Sequence, residues 1–81
     1  MVEVFITDIR HPADVKTVAK NLHLAYPEWQ INLDPDETGL PYPAGHTVLR
    51  IEGRDIDPLE IQKKVNREGF NCEIMEDQAY S

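Results

Sequence analysis

The sequence predicts an α+β sandwich: a four-stranded antiparallel sheet with two helices packed on one face, in the order βαββαβ. Three observations carry this reading. Two-residue alternation recurs at 2–7, 29–33, 47–51 and 70–74, two stretches of helical spacing lie between these runs, and prolines and glycines punctuate the junctions. Right-handed crossovers put both helices on the same side of the sheet, which is the ferredoxin-like arrangement.

Val2, Val4 and Ile6 alternate with Glu3, Phe5 and Thr7, the pattern of a strand with one buried face, read here as the valine side. Pro12 suits the first position of a helix, where its missing N–H costs nothing. Val15, Val18, Ala19, Leu22, Ala25 and Tyr26 then form one apolar stripe, and Pro27 stops it. Trp29, Ile31 and Leu33 mark the second strand. Residues 34–46 hold three prolines and two glycines and are expected to be a long loop between strands two and three. Thr47, Leu49 and Ile51 mark the third strand, closed by Gly53. Asp57, Pro58 and Glu60 spell a capping box, Ile56 and Ile61 a hydrophobic staple, and Gly69 a left-handed helix end. Phe70, Cys72 and Ile74 form the last strand. The sheet face away from the helices is expected to carry Phe5, Val48, Arg50 and Met75.

Eighty-one residues make one domain, read over 1–76, with a polar tail at 77–81. Fifteen acids against eight scattered bases give a net charge of −7, a surface that repels phosphate backbones and argues against nucleic acid. No run is long and apolar enough to insert in a membrane, and the first residues lack a signal-peptide pattern, so a soluble, cytoplasmic protein is expected. The single cysteine, Cys72, shares a face with Phe70 and Ile74 and reads as a buried, inert thiol. No Ser/His/Asp order, glycine-rich phosphate loop or paired carboxylates suggest catalysis. Arg10 has no glycine-rich cradle around it, and an enzyme is not expected. Asp34, Asp36 and Glu37 lack the further ligands of a calcium loop.

The chemistry concentrates in the stretch from Ile6 to Val15, a strand, a short loop and a helix start. His11 and Asp14 stand three apart over that helix N-terminus, a spacing at which two side chains can converge on one ion. A carboxylate there also complements the positive end of the helix dipole without any metal. Asp8 is a weaker third ligand candidate, and Glu37 or His46 of the long loop are further ones. His23 reads as a surface residue.

In order and spacing, the chain resembles the heavy-metal-associated domains, the family of small copper chaperones and the N-terminal modules of metal-pumping ATPases. The family pattern is a strand, Gly-Met-x-Cys-x-x-Cys, and a helix. Along it Asp8 falls at the glycine, Ile9 at the buried methionine, His11 and Asp14 at the two cysteines, and Val15, Val18 and Leu22 on the helix stripe. Ile31-Asn32-Leu33 resembles the family's second strand, and Glu68-Gly69-Phe70 its Ala-Gly-Tyr turn. The resemblance implies the ferredoxin-like fold, a metal site at His11 and Asp14, and Ile9 and Phe70 close to it. It also implies a metal-transporting ATPase as a partner. With imidazole and carboxylate in place of thiolates, the ion implied is Zn, Ni, Co or Cu(II), and Cu(I) is disfavoured.

Two functions follow from these readings. The leading one is a metal-handling module that binds or transfers a divalent ion with non-thiolate ligands. The other is a metal-free interaction module using the open sheet face or the 34–46 loop, with Leu40, Tyr42 and the prolines as adhesive residues. Homodimerisation through the sheet face is a further expectation.

Overall fold

The computed structural model describes residues 1–75; the polar tail expected at 77–81 lies outside the described residues. The elements are β1 (Val2–Thr7), α1 (Pro12–Ala25), β2 (Gln30–Asp34), β3 (Thr47–Glu52), α2 (Pro58–Arg67) and β4 (Cys72–Ile74). The sheet order is β2-β3-β1-β4 with every neighbouring pair antiparallel, so the fold is the ferredoxin-like α+β sandwich that the alternation predicts.

The core lies between sheet and helices. Phe5, Leu49 and Ile51 of the sheet meet Val18 and Leu22 of α1 and Ile61 and Val65 of α2, all of them 0–1% exposed. This reverses the expected facing of β1. Phe5 is paired with Leu49, and Thr7 with Thr47, on the helix side, while Val2, Val4 and Ile6 look the other way beside Glu52, Arg50 and Val48. Both faces of β1 carry apolar residues, so alternation alone leaves the choice open. Burying Phe5 removes the larger area from water. The polar cost at Thr7 and Thr47 is offset because the two hydroxyls find partners. Thr7 Oγ1 donates to Thr47 O (3.0 Å), and Thr47 Oγ1 donates to Ile9 O (2.5 Å). Val48 and Arg50 do lie on the open face. Met75 does too, its amide extending the ladder to Val4 O at 2.9 Å.

The helix ends explain themselves locally. Asp57 accepts from Leu59 N at 3.1 Å and caps α2. Glu60 does not close the expected capping box; it accepts instead from the Tyr26 hydroxyl at 3.0 Å, which ties α2 to the end of α1. Gly69 has φ +98° and ends the helix in the left-handed region, as expected. The turn keeps Phe70 out of the last strand, which begins at Cys72, but Phe70 still packs on the core. Asp34 belongs to β2, so the long loop is 35–46. None of the described helices is long and apolar enough to cross a membrane.

Candidate functional site

Three connections converge at one end of the sheet: 8–11 after β1, the 35–46 loop, and the 68–71 turn before β4. Asp8 joins the first to the third. Its Oδ1 accepts from Asn71 N at 2.8 Å and its Oδ2 from Asn71 Nδ2 at 2.7 Å. Arg10 joins the first to the second. Its guanidinium donates to Asp36 Oδ2 (3.0 Å), to Leu40 O and to Gly45 O (2.9 Å). The five fixed N–H donors of an arginine suit such a set of acceptors, and a lysine's single ammonium does not.

The loop is built around that guanidinium. Asp36 also accepts from Thr38 N, Thr38 Oγ1 and Gly39 N, and its own amide donates to Thr47 Oγ1 at 3.2 Å. The Thr38 hydroxyl, then the two amides and Arg10, hold the Asp36 carboxyl below its ordinary range against the opposing effect of burial. Gly45 is buried where a Cβ would stand 2.3 Å from Leu40 O and 2.8 Å from Arg10 Nη2, so only glycine fits.

His11 is the N-cap of α1, exposed, with extended backbone, and its Nδ1 accepts from Ala13 N at 3.1 Å. Asp14 lies half-buried in the first turn. Ile9 is fully buried, and Phe70 is half-buried and packs against the core. His46 donates from Nδ1 to Pro43 O at 2.9 Å and Glu37 is exposed. Among the described residues, no three His, Cys, Asp or Glu side chains gather closely enough to hold an ion.

The donor set fits a metal poorly for a chemical reason. A neutral imidazole that accepts at Nδ1 carries its proton on Nε2, so His11 has no lone pair to give without surrendering the cap. Both Asp8 oxygens already accept from Asn71. A lasting transition-metal site needs about four donors, and here His11 and Asp8 hold the fold together.

Tyr42 corrects another expectation. It turns inward, half-buried, with its hydroxyl buried and making no hydrogen bond to the described residues. Burial first, then the negative charge of Glu73 and Asp8, pushes its pKa up. Leu40 stays 49% exposed, and Pro35, Pro41 and Pro43 are exposed. Cys72 is buried, and its thiol is pushed up to about 12 by burial and then by Glu73, which agrees with an inert side chain.

The residues that sequence reasoning missed are Arg10 and Trp29. Arg10 lies 26 positions from Asp36 and 35 from Gly45, and no local pattern announces such a contact. Trp29 stacks on Tyr26 at 4.2 Å and donates to Arg54 O at 2.9 Å. Gly53 lies so close that a Cβ there would fall 2.3 Å from its Cδ1. The groove beside this pair, about 560 Å³, is lined by the stacked Tyr26 and Trp29, by Gly53, and by the exposed Glu28, Arg54 and Asp55.

Compared with family models, curated proteins and solved structures, the chain finds no match in any of the three.

Proposed function

We propose that this domain is a protein-interaction module that keeps its fold without a metal ion. The observation that carries the reading is the commitment of the candidate ligands: His11 caps α1 through Nδ1, and Asp8 pins the turn before β4 with both oxygens. The loop adds support. Arg10 fixes it into one shape that presents Leu40 and three prolines outward, and ordered apolar segments bind with less entropy lost than mobile ones. The likeness to heavy-metal-associated domains rests on motif order alone, and it favours a second reading. In that reading His11 and Asp14 share a divalent ion and hand it to a metal-transporting ATPase.

Thermal unfolding with and without Zn(II) and Ni(II) separates the two. An ion held only by the folded state adds about 2.7 kcal/mol at a hundredfold excess over its Kd, which is about 10 °C or more in Tm for a domain of this size. The interaction module shows no such rise with either ion. A saturable rise that His11→Ser removes would establish the metal reading instead.

A further inference from the structure

The open sheet face has a pattern of its own. One row crosses the whole sheet as Asp34, Val48, Ile6 and Glu73, an apolar pair between carboxylates on the two edge strands. In the next row Arg50 lies between Asn32 and Val4, and in the third Glu52 lies beside Val2. Val4, Ile6 and Val48 are half-buried by their neighbours. Among the described residues the one ion pair is Arg10–Asp36, so Asp34, Glu52 and Glu73 make no contact ion pair, although Arg50 lies on the same face between the rows of Asp34 and Glu52.

Charge differs between the helices and the rest of the described chain. The helices carry five bases, Lys16, Lys20, Lys63, Lys64 and Arg67, against two acids. The strands and loops of the described residues carry eleven acids against three bases, one of them Arg10, which the loop already uses. On the open face itself three acids, Asp34, Glu52 and Glu73, stand against one base, Arg50, so the apolar strip lies on a net negative surface. A phosphate backbone or an anionic bilayer is repelled there. Two copies meeting through this face would set like charges against each other.

We propose that the open sheet face docks a lysine- or arginine-rich segment of a partner protein. The partner's apolar side chains lie on Val4, Ile6 and Val48, and its cations reach Asp34, Glu52 and Glu73. Asp34 and Glu73 are three strand spacings apart, about 14 Å. Side chains four positions apart on an extended segment point the same way and are separated by about 13 Å. An extended Lys-x-apolar-x-Lys pattern therefore matches one full row. The inference rests on the interaction reading above and names the class of its partner.

The test uses a synthetic peptide repeating Lys-Ser-Val-Ser over about twelve residues, titrated into the labelled 81-residue chain and followed by amide chemical shifts. We expect saturable shifts below about 1 mM, centred on Ile6, Asn32 and Val48. Raising salt from about 50 to 300 mM weakens binding about fivefold. The exposed pair Asp34→Asn and Glu73→Gln weakens it about as much at low salt. Absence of shifts, or shifts confined to α1 and α2, overturns the proposal. Equal binding of an analogue with glutamine at every lysine overturns the cationic partner and leaves the interaction module standing. Zn(II)-dependent shifts at His11 count against the module itself, whatever the peptide does.

Discussion

His11 does at the start of α1 what serine or aspartate does at most helix starts: a side-chain acceptor takes an amide that the helix cannot satisfy. The role needs an acceptor, not an imidazole. His11→Ser should hold the stability of the parent in urea unfolding, while His11→Ala should lose about 1 kcal/mol. Equal losses in both would mean that the ring itself matters. Cys72 gives a second test. Its folded value, about 12, lies above its ordinary value of 9.0, so the unfolded chain releases this proton first. Its contribution is fully present below about pH 9 and is lost as pH rises toward 12. Tyr26, raised from 10.0 to about 12 by burial and by its bond to Glu60, acts in the same direction in the upper part of that window. Stability measured from pH 9 to 12 should therefore fall, and less steeply in Cys72→Ala. An unchanged slope in that variant would show that the thiol is not buried as described.

At the scale of elements, the 35–46 loop is ordered by one side chain from another connection. Arg10→Ala removes all three guanidinium contacts, and because Arg10 is partly exposed we expect a loss of only about 1–2 kcal/mol. The larger effect should be local, with rapid proteolytic cleavage inside 37–44 while the strands stay protected from hydrogen exchange. Gly45→Ala should open the same loop by a different route, through the clash with Leu40 O. Cleavage no faster than in the parent would contradict the lock. Acid should also loosen this loop, since Asp36 is held below its ordinary range and its contribution is lost as pH falls from that range down through the lowered folded value. None of this was legible in the sequence, because an arginine and an aspartate 26 positions apart leave no periodic trace. The secondary structure was legible wherever spacing had a single reading: the α1 stripe, the Pro58 start of α2, and the Gly69 stop. It failed at β1, where both faces are apolar and only the register with β3 selects Phe5 for the core. It failed again at Glu60, which a tertiary partner, Tyr26, draws away from the cap.

For the whole molecule, a sheet with helices on one side leaves the other side to be explained. Here that side joins an apolar strip to three carboxylates against one arginine, while five of the eight bases lie on the helices. The resemblance to metal-binding domains concerns the sheet end, where the motif positions are held by residues that cap a helix and pin a turn. The central claim is that this end is structural and that recognition belongs to the protein surface. An amide and imidazole NMR titration of the reduced chain with Zn(II), Ni(II) and Cu(I) tests it most directly. Resonances of His11, Asp14 and Phe70 should stay in place for all three ions. Saturable shifts at micromolar ion centred on those residues would contradict it and restore the sheet end as a metal site.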